Sequence, residues 1–514
     1  MMRLILFCLI LVTYPNIVEA TPTPNIIYIL ADDMGPGDVS AYNPEGRIPT
    51  PNIDRIAVEG ITFTDAHSNS SVCTPTRYGI LTGRYAWRTE LKSRVLNGHS
   101  PPLIKKDRLT VGEFLQDQGY RTACIGKWHL GMDWAYQEGS ADKKDSDVDL
   151  QADIQNGPVD RGFDYYFGIS ASLNMSPHAY IRNKRIVGTL EYLKGKQGAT
   201  DRGFTQPSNG GWAAKEYVQQ NVLKDLAGEA CKWIEEQKEN PFFVYIPLPS
   251  PHSPIVPSEK FQGKGVNTYA DFCLETDWLV GEVLRALDDN QLTEDTLIIF
   301  TADNGSAKFV DWDFMHEIGH YPSLHYRGMK GTLWEGGHRV PFVLRWPGKA
   351  EAGSKCEQAI CTTDLLATCA ELFGVSLADN QGEDSYSFLP AIMGKPIPNL
   401  SGRVITHHSD AGVFAIRQGN WKLMLDARGG SQRWNPKDER FDKNNEVLLF
   451  DIVRDPSERT NLADQSPEIV ENLKRELAHI IKTGRSTKGA SQLSDYNEEG
   501  VEWPQIESVR KYLD

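Results

Sequence analysis

Residues 25–33 read NIIYILADD, an apolar run from Asn25 to Ala31 that ends in the paired carboxylates of Asp32 and Asp33. A continuous apolar run of this kind favours a central strand that is buried on both faces of a sheet. Three further runs have the same form: Arg121 to Ile125 before Gly126-Lys127-Trp128-His129, Phe242 to Ile246 before Ser250-Pro251-His252, and Thr296 to Thr301 before Ala302-Asp303-Asn304. The sequence therefore predicts four buried strands that end in polar residues.

Helical patterns alternate with these strands along the chain. They cover Thr50 to Glu59, Leu109 to Gln118, Asn221 to Glu239 and Ala270 to Asp288. This alternation predicts an α/β domain in which helices lie on both faces of a sheet. In open α/β sheets, ligands bind beyond the carboxyl ends of the strands. The polar residues at the four strand ends are therefore the candidate functional site.

The length of 514 residues exceeds the size at which one hydrophobic core usually continues to grow, so two domains are expected. We predict a large α/β domain over residues 21–399 and a smaller α+β domain over residues 400–514. The prolines Pro396 and Pro398 mark the boundary. The smaller domain is expected to contain antiparallel strands near Val404–Thr406, Phe414–Arg417, Lys422–Leu425 and Val447–Asp451, and a helix from Pro467 to Ile481.

The first 20 residues have the form of a signal peptide. Arg3 precedes an apolar stretch from Leu4 to Val12, and Val18-Glu19-Ala20 is a small-residue cleavage site. No later run approaches the roughly 18 apolar residues of a membrane-spanning helix, so no stable membrane anchor is expected. We predict an exported protein: periplasmic or secreted in a bacterium, lysosomal or extracellular in a eukaryote.

The formal net charge of −15 argues against a nucleic-acid partner, because such proteins normally carry a basic patch or a high overall positive charge. A negatively charged protein that acts on an anionic substrate must concentrate positive charge in its site. The chain has eight cysteines, of which Cys8 lies in the signal peptide. Seven is an odd number for an exported protein, so one thiol is expected to have a separate fate. If that thiol is Cys73, the other six could form three disulfides, whose connectivity the sequence leaves open.

Residues 73–84 read CTPTRYGILTGR, a C-x-P-x-R pattern followed by T-G-R. Pro75 suits the first position of a helix, where its missing N–H is not needed. The unbonded N–H groups of the first turn would favour an anion beside Cys73. Taken alone, the pattern also fits a packed cysteine that precedes an ordinary helix.

The carboxylates and the amide at the strand ends form an oxygen-only set of possible metal ligands. Such sets favour Ca²⁺ or Mg²⁺ over zinc, and a mixed carboxylate and amide set favours Ca²⁺. Each pair alone is also compatible with a turn that ends a strand. The candidate ligands are Asp32, Asp33, Asp303 and Asn304.

Basic residues accompany these oxygen ligands. Lys127 and His129 lie two positions apart, so in an extended segment they would project to one face, while Trp128 would pack on the other. His252 lies between two prolines, and Lys330 lies in a glycine-flanked turn. Each of these residues alone would be an ordinary surface side chain or a satisfied histidine in most proteins.

Taken in order, these motifs resemble those of the formylglycine-dependent type I sulfatases of the alkaline-phosphatase superfamily. The resemblance implies an alkaline-phosphatase-like large domain with a mixed central sheet between helices, and a small second domain with an antiparallel sheet. It is carried by NIIYILADDMG (25–35), CTPTRYGILTGR (73–84), GKWHLG (126–131), SPHSP (250–254), FTADNG (300–305), RGMKGTLWEGGHRVPF (327–342), NWKLMLD (420–426) and LLFDIVRDPSERTNLA (448–463).

The resemblance implies that Cys73 is oxidised to formylglycine by a dedicated formylglycine-generating enzyme. The hydrate of that aldehyde would supply the nucleophilic oxygen and would later release sulfate by internal collapse. One Ca²⁺ per active site would hold this group and a sulfate oxygen. The implied metal ligands are Asp32, Asp33, Asp303, Asn304 and the modified Cys73.

The remaining roles implied by the resemblance belong to basic side chains. Arg77 would stabilise the formylglycine oxygens, and Lys127 and Lys330 would hold the sulfate oxygens. His129 would take the proton that expels sulfate, and His252 would protonate the departing alcohol together with Lys330. Dense positive charge of this kind is what attack on an anionic ester requires.

Export and long variable loops favour a sulfate monoester on a carbohydrate or polysaccharide fragment as the substrate. His178, in the stretch SASLNMSPH from Ser170, is a candidate contact to a sugar hydroxyl or an ordinary loop histidine. Two alternatives stay open. One is a hydrolase of phosphonate monoesters or phosphodiesters from the same superfamily, and the other is a non-catalytic glycan-binding relative.

Overall fold

The structure is a computed structural model that describes residues 23–139, 145–197, 210–431, 447–495 and 503–513. The predicted signal peptide, residues 1–20, lies outside the described residues. Within the described ranges, no helix is both long enough and apolar enough to cross a membrane.

The strands and helices follow the predicted alternation. The strands are β1 Asn25–Ala31, β2 Ile61–Phe63, β3 Ala66–His67, β4 Arg121–Lys127, β5 Tyr165–Ile169, β6 Ile181–Arg182, β7 Arg185–Ile186, β8 Leu190–Leu193, β9 Gly211–Ala214, β10 Phe242–Pro247, β11 Thr296–Ala302, β12 Phe342–Arg345, β13 Ser354–Cys356, β14 Ile360–Cys361, β15 Val404–His408, β16 Phe414–Gln418, β17 Trp421–Met424 and β18 Leu448–Asp451. The α-helices are α1 Pro51–Val58, α2 Cys73–Thr82, α3 Val111–Asp117, α4 Val222–Gln237, α5 Thr268–Asp289, α6 Trp312–Glu317, α7 Glu335–His338, α8 Leu365–Leu372, α9 Leu389–Ile392 and α10 Pro467–Thr483.

The central sheet has ten strands in the order β13-β2-β12-β11-β1-β10-β4-β5-β6-β7. β1 pairs in parallel with β10 on one side and β11 on the other, and β4 and β5 continue the parallel arrangement. β12 is antiparallel to β11, so the sheet is mixed, as predicted. Because β1, β4, β10 and β11 are parallel, their carboxyl ends meet at one edge of the sheet.

Both faces of the central sheet are buried, because successive side chains of each strand point to opposite faces. Ile27 and Ile29 of β1 pack in one apolar core with residues of α4 and α5. Ile26 and Leu30 pack in a second core with residues of α2, α3 and α8. The continuous apolar run in β1 is therefore the consequence of two cores, one on each face.

The C-terminal part forms a separate antiparallel sheet in the order β15-β16-β17-β18. The amphipathic helix α10 covers this sheet, and its residues Leu473 and Leu477 share an apolar core with Phe414 and Leu423. This architecture confirms the predicted α+β arrangement of the smaller unit.

A buried ionic cluster joins the two sheets. The Lys422 Nζ in β17 lies 2.9 Å from Glu335 Oε1 of α7 and 2.7 Å from Glu458 Oε1. The same amino group lies 2.9 Å from His338 Nε2. All four side chains are buried, and Arg339 also pairs with Glu335 at 2.8 Å, so two cations balance two carboxylates in the contact between the C-terminal sheet and the large domain.

All seven described cysteines are free thiols. The three disulfides that the cysteine count allowed are therefore not formed in the structure. The cysteine side chains instead pack in the protein interior, since six of the seven are buried. Free cysteine behaves as a small apolar residue in such surroundings.

Replacing Lys422 by Met is expected to lower the free energy of unfolding by about 3–5 kcal/mol, because Glu458 would stay buried without its cation while Glu335 would keep only Arg339. Urea unfolding followed by circular dichroism measures the change. Lys349→Met, at an exposed lysine, is the matched control and should shift stability by less than about 0.5 kcal/mol. Equal effects of the two substitutions would contradict this assignment.

Candidate active site

Helix α2 begins at Cys73, so the prediction that Pro75 occupies the first helical position is wrong. The chain is still extended at Val72, with φ −143°, and turns into the helix at the next residue. Pro75 therefore stands third, where its missing N–H is also not needed, because the first four N–H groups of a helix have no partner inside it. The helix ends at Gly83, whose φ of 63° suits glycine.

The Cys73 side chain is only 2% exposed and lies among charged groups. Its Sγ is 3.4 Å from Asp32 Oδ1 and 3.4 Å from Lys330 Nζ. Burial, together with the negative charge of Asp32, raises the pKa of the Cys73 thiol far above its usual value. The unmodified thiol thus stays protonated near neutral pH and is a poor nucleophile.

Three buried carboxylates converge at the edge of the sheet, and each forms a close ion pair with a basic side chain, while Arg77 Nη2 also lies 3.6 Å from Asp32 Oδ2. Burial alone would raise the pKa of Asp32, but the charges of Lys127 and Arg77 hold it well below the usual range. Burial and the charge of Asp32 raise the pKa of Asp303 to about 7. The ion pairs are Asp32 Oδ2 with Lys127 Nζ at 2.5 Å, Asp33 Oδ1 with Lys330 Nζ at 2.6 Å, and Asp303 Oδ2 with Arg77 Nη2 at 2.8 Å.

The donor set at this edge fits a hard cation. Asp33 Oδ2 and Asn304 Oδ1 are buried oxygens that accept no hydrogen bond from the described residues. Single ligand atoms of Asp32, Asp33, Cys73 and His252 lie within 4.8 Å of one another. Buried acceptors without donors are rare in proteins, and converging oxygen ligands are what Ca²⁺ binds.

His252 adds a second argument for a cation. Its Nδ1 lies 2.5 Å from the carbonyl oxygen of Ser253, and its Nε2 lies 3.7 Å from Asp33 Oδ2. Burial, with the charge of Lys330, lowers the pKa of His252 to about 4, so the ring is neutral near neutral pH. If Nδ1 donates to Ser253, then Nε2 carries a lone pair that faces a carboxylate oxygen, and a positive charge between them would satisfy both.

Lys127 and His129 do not project to one face of a strand, so that prediction is wrong. β4 ends at Lys127, and His129 adopts a left-handed conformation with φ 58°. As a result, Lys127 reaches Asp32, whereas His129 Nε2 lies 2.8 Å from the carbonyl oxygen of Leu96. Trp128 is buried, as predicted. Both basic side chains are nonetheless buried in the same polar region as Cys73.

Asp38 was missed by the sequence reasoning. Its carboxylate accepts hydrogen bonds from the Gly35 N–H at 3.1 Å, Tyr269 Oη at 2.7 Å and Ser306 Oγ at 2.5 Å, and it lies 2.9 Å from His320 Nε2. These hydrogen bonds connect the loop that follows Asp33 with the loop that follows Asn304. The turn-forming run Gly35-Pro36-Gly37 before it was the available signal.

His178 lies in a segment that pairs with β9. Its N–H donates to the Trp212 carbonyl at 2.8 Å, and its own carbonyl accepts from Ala214 N–H at 3.0 Å. The side chain is 1% exposed. Burial lowers the pKa of the ring to about 4, so it is neutral near neutral pH.

Family models match two parts of the chain. The model described as sulfatase matches residues 24–375, and the model described as the C-terminal region of aryl-sulfatase matches residues 401–511. The two matched regions together contain every candidate site residue named above.

Curated relatives and solved structures agree with these models. The chain is 33% identical to N-acetylgalactosamine-6-O-sulfatase of Bacteroides thetaiotaomicron over 494 residues, covering 90% of this chain and 93% of the relative. It is 30% identical to human steryl-sulfatase over 535 residues, covering 89% and 87% of the two chains. A solved 6S-sulfatase from a study of glycosaminoglycan metabolism by Bacteroides thetaiotaomicron superposes with a TM-score of 0.79 at 31% identity, covering 89% of this chain and 99% of that chain. Because the family models span most of the chain and these relatives match along nearly their whole length, the chain belongs to the sulfatase family of sulfuric ester hydrolases.

Proposed function

We propose that this sulfatase hydrolyses an O-sulfate monoester on a carbohydrate or polysaccharide fragment, with a formylglycine at position 73 and one bound Ca²⁺. The observation that carries the proposal is the convergence of Cys73 with three carboxylates and three basic side chains at one edge of the sheet. Two relatives named for N-acetylgalactosamine-6-O-sulfatase activity and glycosaminoglycan metabolism support a carbohydrate sulfate.

The cation would be held by the oxygen atoms that meet at the strand ends. Bound Ca²⁺ supplies a divalent positive charge beside position 73. Conversion of Cys73 would place an oxygen nucleophile, the formylglycine hydrate, at a position where the buried thiol stays protonated. The proposed ligands are Asp32, Asp33, Asp303, Asn304 and the modified residue 73.

Lys127, Lys330 and Arg77 would neutralise charge during the reaction. The substrate ester and its transition state are anionic, and charged donors are most effective when they are held in place before the substrate arrives. The ammonium groups of Lys127 and Lys330 are fixed by Asp32 and Asp33, so they would meet the sulfate oxygens without rearrangement. Arg77 is held by Asp303 and by the Lys127 carbonyl, which positions it beneath residue 73 in the first turns of α2.

Two histidines would move protons. His129 has one ring nitrogen against the Leu96 carbonyl, and its buried Nδ1 accepts or donates no hydrogen bond among the described residues. Burial and the charge of Lys127 hold its pKa well below the usual value, so it is neutral and able to accept the proton whose removal releases sulfate. His252, beside Asp33, would pass to the departing alcohol a proton supplied by the ammonium group of Lys330, because its own ring is neutral near neutral pH.

One histidine outside the strand ends is also assigned to substrate binding. His178 would contact a sugar hydroxyl on the substrate.

The catalytic domain would span residues 21–399 and the C-terminal subdomain residues 400–514. A formylglycine-generating enzyme would modify Cys73 during maturation, and the signal peptide of residues 1–20 would direct export to the periplasm or the medium, or to the lysosome or extracellular space in a eukaryote.

The substrate class is tested with matched aryl esters. The enzyme is expected to hydrolyse an aryl sulfate, and then sulfated oligosaccharides, with a higher kcat/KM than an aryl phosphonate or an aryl phosphodiester. Far faster turnover of a phosphorus ester would contradict the sulfatase proposal. Sugar binding without turnover, despite confirmed formylglycine, would instead indicate a glycan-binding relative.

The modification of Cys73 is tested by mass spectrometry of the tryptic peptide Ile56–Arg77 from the native host. The peptide is expected to carry an aldehyde in place of the thiol. The tryptic peptide Thr122–Lys127 contains Cys124, a buried thiol outside any C-x-P-x-R pattern, and is the internal control that should stay unmodified. A thiol at position 73 in every molecule would remove the proposed nucleophile.

The cation is tested by thermal unfolding. Adding Ca²⁺ to the chelator-treated protein should raise the midpoint of unfolding, by an amount that corresponds to about 2.7 kcal/mol at 100 times the dissociation constant. Asn304→Ala removes one proposed oxygen ligand and should reduce the shift. Asn240→Ala, at an exposed asparagine, is the control and should keep it. A Ca²⁺ response that is unchanged in Asn304→Ala would refute this ligand set.

A further inference from the structure

A short segment beside the nucleophile position connects two parts of the candidate site. At one end, the Leu96 N–H donates to Thr74 Oγ1 at 3.2 Å, and the Leu96 carbonyl lies 2.8 Å from His129 Nε2. Thr74 directly follows Cys73 and itself donates to the His129 carbonyl at 3.0 Å. The position of residue 96 is therefore tied to both the nucleophile residue and a proposed proton carrier.

The other end of the segment is tied to the loop that carries Lys330. The Arg94 N–H donates to the Asp410 carbonyl at 2.8 Å, and the Asp410 N–H donates to the Gly331 carbonyl at 3.1 Å. The Gly331 N–H in turn donates to the Ser71 carbonyl at 2.8 Å. Through these bonds, Arg94 lies between the segment that contacts His129 and the loop that carries Lys330. The Cα atoms of Arg94 and Leu96 are at most about 7.6 Å apart, because two Cα–Cα steps separate them.

Arg94 adopts a conformation that is uncommon for its residue type. Its φ is 63°, in the left-handed region where only glycine is free of steric penalty. Its side chain is exposed and makes no hydrogen bond or ion pair with any residue that the structure describes. A guanidinium is charged at all relevant pH values, so this position presents an uncompensated cation.

We propose that Arg94 is a specificity residue that binds a second anionic substituent of the glycan substrate, either the carboxylate of a neighbouring uronic acid or a second sulfate. This inference rests on the proposed function. Lys127 and Lys330 lie deeper and are already paired with Asp32 and Asp33, which suits them to the sulfate that is cleaved. Arg94 is exposed, so it is left for a substituent that stays outside the buried site, and its planar fork matches a carboxylate or a sulfate with two hydrogen bonds.

The test compares kcat and KM for four substrates: a monosulfated N-acetylhexosamine, its disaccharide with a neutral neighbour, its disaccharide with a uronate neighbour, and a disulfated hexosamine. Wild type is expected to favour at least one doubly anionic substrate over its singly anionic counterpart. Arg94→Gln should lower that preference about tenfold through KM, since a hydrogen bond between charged groups contributes that much or more. Which doubly anionic substrate loses its advantage identifies the carboxylate or the sulfate as the ligand.

Arg121→Gln is the matched control, because Arg121 is also exposed but stands at the first residue of β4, at the opposite edge of the sheet from Lys127. It removes the same charge and should keep the wild-type preference. Arg94→Gly tests the backbone, since glycine adopts φ 63° freely, and it should lose the preference to the same extent while remaining folded. An unchanged preference in both Arg94 variants overturns the inference, whereas a wild-type enzyme that hydrolyses none of the sulfate esters refutes the proposed function itself.

Discussion

The structure depends on one electrostatic constraint, the burial of three carboxylates where the parallel strands β1 and β11 of the mixed sheet end. Asp32, Asp33 and Asp303 follow adjacent strands, so the backbone brings their charges together whether or not they repel. Burial of like charges is unfavourable unless cations compensate them. This requirement explains why Arg77, Lys127 and Lys330 pair with the three carboxylates. Two further oxygens, Asp33 Oδ2 and Asn304 Oδ1, still accept no hydrogen bond from the described residues.

The same constraint explains the state of the nucleophile position. A buried cysteine beside a carboxylate keeps its proton, so the unmodified Cys73 thiol is a poor nucleophile. The cations around it are fixed by ion pairs, which means that little reorganisation is needed when an anionic ester enters. The same ion pairs therefore stabilise the fold and hold the charges of the site in place. Substitutions at Arg77 or Lys127 are expected to lower both the free energy of unfolding and the activity.

The C-terminal sheet is part of the site's support. The Lys422 cluster holds β17 against α7, close to the loop of Lys330. The Ser71 N–H donates to the carbonyl of His408 at the end of β15, and the Asp410 N–H donates to the Gly331 carbonyl, next to Lys330. Segments that are far apart in the chain thus bond to one another around the site. Short-range sequence patterns therefore did not indicate that Asp410, Arg94 or Asp38 lies there.

The amino-acid sequence by itself determined the four central strands β1, β4, β10 and β11, the longer helices packed on them and the polar residues at the strand ends, because apolar periodicity and turn residues act over short distances. It also indicated the family through C-x-P-x-R. Only the tertiary structure decided that α2 begins at Cys73, that His129 turns into a left-handed conformation, and that the described cysteines form no disulfides. Those features depend on contacts between distant segments, whose geometry no local pattern encodes.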